Sequence, residues 1–346
     1  MGGITESAGM HLSDGYARYT GKPGIFIAGQ AGPGITNTIT AMAQAKEAFS
    51  PGINLAGAIS SKHKGLDEFQ EVERVSLMKP DSKKVCEVKD VATSPSIVNE
   101  GFETALTPCS GPVHIDLPRD VLGHSSAFAP PQKHQIAKLP IADETSIQKS
   151  VKLLSEAEKP VILIGAGIKN YGSEGAETVI SLAELLNAPM TASPGHNDVI
   201  QSGHPLYAGA AGPRGSGLGT NLLKEADVIL VLGSRIGFNT SFYSYENINE
   251  KASIIQCEID QKSIGRYFPV EVGILADAKT VAKQLYSSLK TVQLKKEVEE
   301  WSYQFKKNKK SFLDQRESNA DTQSVPILSS GLFKELRSAL PKDSII

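Results

Sequence analysis

The chain has 346 residues, a length that suits two domains rather than one and allows a large core to be buried without disulfide or metal support. Its 36 basic and 38 acidic residues give a formal net charge of −2, so the composition does not favour nucleic acid or an anionic membrane surface as a partner. No apolar run reaches the ~18 residues of a membrane span, and no secretory signal pattern is visible.

Short β-rich runs alternate with amphipathic helices along the chain, and this alternation predicts an α/β fold with parallel sheets. Three strands are predicted in the first block, of which we expect the first to be buried: Ile25–Ala28, Ile53–Ala58, and Val113–Leu117, which Pro118 ends. Between the first two strands, apolar residues recur at helical spacing and predict a helix with one apolar stripe: Ile35, Ile39, Met42 and Ala43.

Residues 125–145 are predicted to form an extended linker, because Pro130, Pro131 and Pro140 interrupt the helical periodicity there. A second α/β block follows over residues 146–292, and its spacing of strands and helices suits a doubly wound sheet. Its predicted strands are Val161–Ile164, a strand near Met190, Val228–Leu232 and Ile254–Ile259. Its predicted helices carry apolar stripes formed by Ile147, Val151 and Leu154, by Val179, Leu182, Ala183 and Leu186, and by Val281, Leu285 and Leu289.

The C-terminal part of the chain is more polar than the two blocks. Residues 293–325 are rich in charged and amide side chains, and only Trp301, Tyr303 and Phe305 give them a thin apolar face, which predicts a surface helix and a linker. A short helix is predicted over Leu332–Leu340, and residues 342–346 are predicted to open a further strand.

Two motifs near the N-terminus carry candidate chemistry. Glu6 begins a helix of small residues and is followed by twelve residues that end in Asp-Gly-Tyr-Ala-Arg at 14–18. The segment Gly29–Asn37 follows a predicted strand and contains Gly-Pro-Gly at 32–34, a turn that lets the backbone approach a flat ring closely. It does not match a P-loop, because Ile35 and Thr36 stand where Lys and Ser or Thr are required.

Two further strings are Phe-Gln-Glu at 69–71 and the predicted strand within Gly111–Val121. Together the four motifs resemble those of thiamine diphosphate enzymes, above all the acetolactate synthase and sulfoacetaldehyde acetyltransferase branch. The resemblance implies two doubly wound parallel-sheet domains, a pyrimidine-binding domain truncated at its N-terminus and a Rossmann-like central domain. The implied divisions are a pyrimidine-binding domain at 1–124, a linker at 125–145, the central domain at 146–292, a linker at 293–325, and the start of a truncated diphosphate-binding domain at 326–346.

The resemblance also implies roles for individual residues. Glu6 is the expected catalytic residue: it would hydrogen-bond the aminopyrimidine ring and start proton transfer from a mostly apolar site that raises its pKa. Gln70 is expected to act on the substrate, with Phe69 and Lys83 in the substrate pocket. The expected seat of the pyrimidine ring consists of Gly32, Pro33, Gly34 and Asn37. Without the flanking motifs, Glu6 would be explained better as a residue that only favours the start of a helix.

Thiamine diphosphate is the implied cofactor, with the ligands of Mg²⁺ expected outside this chain. The central domain carries FAD or ADP in parts of the family, so both stay open for residues 146–292. Gly165–Gly167 follows a predicted strand, but the strand near Met190 ends without the acidic residue that would bind a ribose, which disfavours NAD. The histidines show no metal-ligand spacing, and no metal site is predicted within the chain.

The implied enzyme is a thiamine diphosphate-dependent transferase or lyase that acts on a 2-keto acid or a related aldehyde and passes a carbon unit to a second acceptor. Thr5 stands where this branch often has His before the glutamate, which leaves the exact activity open. Two alternatives remain: a simple 2-keto acid decarboxylase, and a non-catalytic nucleotide-binding or regulatory subunit of the same fold.

The family resemblance implies a homodimer or homotetramer with the active site between subunits. Because the sequence lacks the Gly-Asp-Gly motif of a diphosphate-binding domain, we expect the chain to be a fragment of a longer protein, or else a subunit whose partner brings that domain. The three cysteines, Cys86, Cys109 and Cys257, form no C-x-x-C pair and favour reduced thiols in a cytoplasmic protein.

Overall fold

The computed structural model describes residues 5–29, 31–127, 139–341 and 344. The chain forms two units, residues 1–140 and 141–346, and the boundary lies within the segment predicted to be a linker. Pro130 and Pro131, on which that prediction partly depends, lie outside the described residues. None of the described helices is both long enough and apolar enough to cross a membrane.

The first unit is built on a four-stranded sheet with the strand order β1-β2-β4-β3. Its strands are β1 (Gly24–Ala28), β2 (Gly52–Ala58), β3 (Lys84–Glu87) and β4 (Val113–Pro118). Its helices are α1 (Glu6–Thr20), α2 (Ala31–Thr36), α3 (Ile39–Glu47), α4 (Arg74–Met78), α5 (Ser94–Leu106) and α6 (Arg119–Leu122). Because all pairings are parallel, the carboxyl ends of the four strands share one edge of the sheet, where their loops meet.

Two predictions for the first unit need correction. The strand at 25–28 exists, but it is not buried: Ile25 is 54% and Ile27 71% exposed, because β1 is an edge strand with one face uncovered. The helix predicted from Ile35 onward is interrupted after Thr36, and α3 begins only at Ile39. Its stripe is correspondingly different, since Ala43 is half-buried and the buried residues are Ile35, Ala41, Met42 and Ala45.

The second unit is built on a six-stranded parallel sheet with the strand order β10-β9-β8-β5-β6-β7. The chain adds β6 and β7 on one side of β5 and then β8, β9 and β10 on the other side, so the strand order reverses between β5 and β8. Its strands are β5 (Pro160–Ile164), β6 (Met190–Ala192), β7 (Tyr207–Ala210), β8 (Val228–Leu232), β9 (Ser253–Glu258) and β10 (Val272–Leu275). Its helices are α7 (Glu144–Glu156), α8 (Ala166–Lys169), α9 (Gly172–Leu186), α10 (Gly217–Glu225), α11 (Phe238–Ser241), α12 (Ala278–Leu289), α13 (Glu297–Ser318) and α14 (Ser329–Ala339).

The α/β prediction with parallel sheets is confirmed in both units. The strands β5 and β8 are buried along their whole length, as expected for parallel strands covered on both faces by helices. All the residues predicted to form apolar stripes in the second block are buried. The strands β3, β7 and β10 were not predicted; they are short, four residues each, and all lie at sheet edges.

In its described residues, the polar C-terminal part contains two helices, α13 in the segment predicted to hold a surface helix and α14 close to the helix predicted over Leu332–Leu340. The helix α13 is 22 residues long and buries Val298 and Phe305. The indole Nε1 of Trp301 donates a hydrogen bond to the carbonyl of Pro160 at 3.2 Å, which ties the helix to the start of β5. The final strand predicted over 342–346 falls on residues outside the described part of the chain, apart from Ser344.

Candidate active site at the carboxyl edge of the first sheet

Glu6 is the first residue of α1, and the structure brings its carboxylate to the carboxyl edge of the sheet. Thr5 caps the helix, since its Oγ1 accepts a hydrogen bond from the N–H of Ala8 at 3.2 Å. The chain leaves β1 at Gly29, and a Cβ atom placed on Gly29 would lie 2.8 Å from Oε1 of Glu6. The helix start and the end of β1 therefore meet at one point.

Asn37 holds the carboxylate of Glu6 from the other side. Its Nδ2 donates a hydrogen bond to Oε2 of Glu6 at 3.0 Å, although the two residues are 31 positions apart. This hydrogen bond, helped by the backbone N–H of Glu6, lowers the pKa of Glu6 and outweighs a small effect of burial. In the chain alone the pKa of Glu6 is therefore lowered and not raised, because the carboxyl group has an amide donor and partial exposure instead of an apolar enclosure.

The Gly32–Gly34 turn lies in the first part of α2 and packs against backbone on two sides. The N–H of Gly32 donates to the carbonyl of Gln70 at 2.8 Å, and a Cβ atom on Gly32 would lie 2.9 Å from that oxygen. A Cβ atom on Gly34 would lie 2.3 Å from the carbonyl of Gly29. Both glycines, with Pro33 between them, are thus required for the turn to fit between its neighbours, and their contact with a pyrimidine ring stays a prediction.

The loop that carries Phe69 and Gln70 is held close to this turn. Glu71 accepts hydrogen bonds from the N–H groups of Gly65 at 2.6 Å and Glu68 at 3.3 Å, which closes the loop on itself. Gln70 has a φ of 63°, a left-handed conformation that is strained for a residue other than glycine and is common at functional sites. Its backbone meets the turn, whereas its side chain is exposed, and Phe69 is 80% exposed.

Lys83 lies away from Glu6 in this chain, and its place in the substrate pocket stays a prediction. It precedes β3, at the amino edge of the sheet, whereas Glu6 lies at the carboxyl edge, roughly 15 Å away along strands that rise about 3.3 Å per residue. Its Nζ donates to the carbonyl of Thr107 at 2.9 Å, to Oγ1 of Thr107 at 2.8 Å and to the carbonyl of Pro108 at 3.3 Å. Lys83 therefore stabilises the C-terminal end of α5, and desolvation lowers its pKa.

Sequence reasoning missed the contacts among a set of buried polar residues behind the site. Arg74 pairs with Asp116 of β4, and Asp116 also contacts His114, which is fully buried as a core histidine. A possible signal was the strand Val-His-Ile-Asp-Leu, in which two polar residues alternate with apolar ones in a strand that otherwise reads as core.

The second unit offers a different arrangement at the carboxyl ends of β5 and β8. A Cβ atom on Gly165 would lie 2.2 Å from the carbonyl of Gly233, and one on Gly167 would lie 2.7 Å from Cα of Gly233. These glycines allow the close contact between the two loops. Glu258 ends β9 nearby, and burial raises its pKa. No group of three or more His, Cys, Asp or Glu residues suited to a metal ion occurs in the part of the chain that the structure describes.

Comparisons with known proteins agree with this division into two units. Residues 1–77 match the model of the N-terminal TPP binding domain of thiamine pyrophosphate enzymes, and residues 147–285 match the model of their central domain. A probable acetolactate synthase large subunit of Methanococcus aeolicus is 32% identical over 349 residues, covering 97% of this chain and 57% of the relative. A sulfoacetaldehyde acetyltransferase of Roseovarius nubinhibens is 34% identical over 361 residues, covering 99% and 58%. The chain thus spans little more than half the length of these two relatives.

Proposed function

Because the chain belongs to the thiamine pyrophosphate enzyme family, we propose that it is part of a thiamine diphosphate-dependent transferase or lyase acting on a 2-keto acid or a related aldehyde. The observation that carries this proposal is the pairing of Glu6 with Asn37 beside the Gly32–Gly34 turn. Glu6 supplies hydrogen-bond acceptors, Asn37 supplies a donor and an acceptor, and the glycines of the turn have no side chains. This combination suits a planar ring whose nitrogen atoms both donate and accept hydrogen bonds.

Thiamine diphosphate, when bound, supplies a carbon nucleophile for attack on a carbonyl, and the protein supplies orientation and proton transfer. Glu6 is the group that we propose for proton transfer. Its lowered pKa keeps it ionised near neutral pH, so that it can accept a hydrogen bond from a ring nitrogen. Asn37 fixes the direction of the carboxylate by its hydrogen bond to Oε2, while Oε1 lies on the side of Gly29.

Gln70 and Phe69 form the substrate side of the proposed site, and we propose that a second subunit covers them in a homodimer or homotetramer. The support for this is their exposure beside Gly32: an exposed aromatic ring and an amide on a strained loop are suited to a contact that the single chain does not make. Molar mass in solution, measured by light scattering, tests the assembly, and a protein that stays monomeric at working concentration contradicts it.

The catalytic role of Glu6 is tested in the protein at its natural full length with thiamine diphosphate, Mg²⁺ and pyruvate. Glu6→Gln is expected to lower turnover by about 10²- to 10⁴-fold, the effect of losing a general acid or base. Glu156→Gln, at an exposed position in the last turn of α7, is the matched control and is expected to leave turnover unchanged. Normal turnover in Glu6→Gln would refute the assignment.

Product analysis separates the alternative functions. Release of the free aldehyde alone identifies a simple 2-keto acid decarboxylase, whereas transfer to an added second acceptor identifies a carboligase. A full-length protein that binds a nucleotide but no thiamine diphosphate is the non-catalytic or regulatory subunit, and this result would overturn the proposal.

The proposal also includes Mg²⁺ held by ligands outside this chain, FAD or ADP in the second unit, and a cytoplasmic location. The reversal of strand order between β5 and β8 supports a nucleotide at their carboxyl ends, because doubly wound sheets bind ligands at such points. Chromatography of the ligands released from denatured protein decides this question. Cys86 and Cys257, which form no disulfide, support the proposed location.

A further inference from the structure

A chain of hydrogen-bonded side chains crosses the interior of the first unit behind the candidate site. This polar chain consists of Thr38, Asn54, His114, Asp116 and Arg74, each of them at most 5% exposed. We propose that the polar chain positions the two loops of the candidate site relative to each other, with Thr38 and Arg74 as its ends. Its effect on cofactor binding rests on the proposed function, whereas the coupling of the two loops does not.

The contacts of the polar chain are continuous from one end to the other. Asn54 Nδ2 donates to Thr38 Oγ1 at 3.0 Å and lies 3.2 Å from His114 Nδ1. His114 Nε2 lies 2.9 Å from Asp116 Oδ1, and Arg74 Nε donates to Asp116 Oδ2 at 3.0 Å. Asn54 and His114 are directly paired in the register of β2 and β4, so the sheet itself fixes this crossing.

The placement of the side chains assigns one direction to these hydrogen bonds. The amide of Asn54 directs its N–H groups to Thr38 and His114, so Nδ1 of His114 accepts and Nε2 carries the proton that Asp116 accepts. Thr38 then donates its hydroxyl proton to the carbonyl of Ile35 at 2.7 Å. Turning any one of these groups breaks the hydrogen bond of a neighbour, which makes the polar chain stiff.

One end of the polar chain holds the loop that carries Asn37. Thr38 directly follows Asn37, and its hydroxyl and N–H both donate to the carbonyl of Ile35, which closes the turn between α2 and α3. Asn37 donates in turn to Glu6. A shift of Thr38 therefore moves the amide that orients the proposed catalytic carboxylate.

The other end of the polar chain holds the loop that carries Gln70. Arg74 begins α4, and its N–H donates to the carbonyl of Val72 at 2.9 Å. Two residues earlier, the carbonyl of Gln70 accepts the hydrogen bond from Gly32. Both ends of the polar chain are thus connected to the same short helix, α2. Thr38 lies just after this helix, and the loop before Arg74 is hydrogen-bonded to Gly32 in its first turn.

The energetics of the polar chain favour a role in geometry over a role in stability. Burial alone would raise the pKa of Asp116, but the hydrogen bonds that it accepts from His114 and Arg74 outweigh burial and lower it, so a charged pair sits in the core. Apolar residues of similar volume are often as stabilising as such a pair. Among the residues that the structure describes, Oδ1 of Asn54 is also buried without a hydrogen-bond partner, which costs stability.

Hydrogen exchange of the backbone N–H groups, measured in the whole protein without cofactor, tests whether the polar chain couples the two loops. Thr38→Val and His114→Leu each cut the polar chain at similar volume, and each is expected to raise exchange about tenfold in both loops, residues 29–38 and 65–74, as loss of one buried hydrogen bond predicts. Ile115→Val, next to His114 on the other face of β4, is the control. It is expected to lower the melting temperature without this paired rise.

Different results would refute the coupling of the two loops and the proposed function. His114→Gln keeps a donor and an acceptor and is expected to restore protection of both loops in part. Unchanged exchange of the Gly32 N–H in both cutting variants overturns the inference, as does a rise confined to the loop nearest each substitution. A wild-type, full-length protein that binds no thiamine diphosphate while its loops stay coupled refutes the proposed function and leaves this inference standing.

Discussion

Replacement of Asn37 by Asp is the sharpest test of the surroundings of Glu6, because it keeps the size of the side chain and exchanges an amide donor for a second carboxylate. The two side chains are in contact at 3.0 Å between Nδ2 and Oε2. Two unit charges at that separation repel by about 1.4 kcal/mol in water and by about 5.5 kcal/mol at an effective dielectric constant of about 20. Glu6 is partly exposed, so the lower figure applies. We therefore expect Asn37→Asp to raise the pKa of Glu6, because this repulsion acts together with the loss of the hydrogen bond.

The pKa is measured by NMR titration of the glutamate carboxyl carbons. Asn37→Ala removes the donor without adding charge and is expected to give a smaller rise. Asn99→Asp is the matched control, since the amide of Asn99 donates to Glu103 in α5 and lies outside the candidate site. It is expected to leave the pKa of Glu6 unchanged. A Glu6 titration that is the same in Asn37→Asp as in the wild type would show that the hydrogen bond between these residues does not form in solution.

Three further substitutions test separate parts of the first unit. Gly32→Ala places a methyl group 2.9 Å from the carbonyl of Gln70 and is expected to lower the free energy of unfolding in urea by about 1–3 kcal/mol; an unchanged value would contradict the close packing of the turn. Lys83→Met is expected to cost about 1 kcal/mol of stability and to leave the KM of the substrate unchanged. A raised KM would support the prediction that Lys83 lies in the substrate pocket. Asp116 has a lowered pKa when folded, so its contribution to stability is present above its ordinary pKa and is lost as the pH falls through the folded value. In Asp116→Asn, the free energy of unfolding is expected to lose this dependence on acidic pH. Urea unfolding at pH values from neutral to acidic measures this free energy.

The parts of the site that depend on neighbours in sequence could be predicted from the sequence. Glu6 at a helix start and a Gly-Pro-Gly turn after a strand follow from local composition. Their meeting follows from α1 running antiparallel to β1, with Gly24 against Ser13, Gly9 against Phe26 and Gly29 against Glu6. Lys83 precedes β3 and therefore lies at the opposite edge of the sheet from Glu6 within this chain.

The polar chain could not be predicted, because it depends on strand register. Asn54 and His114 are 60 positions apart and meet only because β2 pairs with β4 in one particular alignment. Arg74 and Asp116, 42 positions apart, additionally require that α4 turn its first residue inward. The exposure of Ile25 and Ile27 has a related cause: a run of apolar residues predicts a strand but does not show what covers its two faces.

The lowered pKa of Glu6 leads to a last prediction about the completed site. A group that exchanges protons near neutral pH works best with a pKa near neutrality, and two opposing effects act on Glu6 in this chain: the hydrogen bond from Asn37 lowers its pKa, and burial raises it only slightly. Covering the carboxylate with a ligand increases desolvation while the hydrogen bond stays in place. We therefore expect the pKa of Glu6 to rise when thiamine diphosphate binds to the full-length protein, measured by NMR titration with and without cofactor. Asn99→Asp, which leaves the site intact, should show the same rise. A pKa that stays low in the complex would mean that Glu6 remains a fixed anion and is not the group that exchanges the proton.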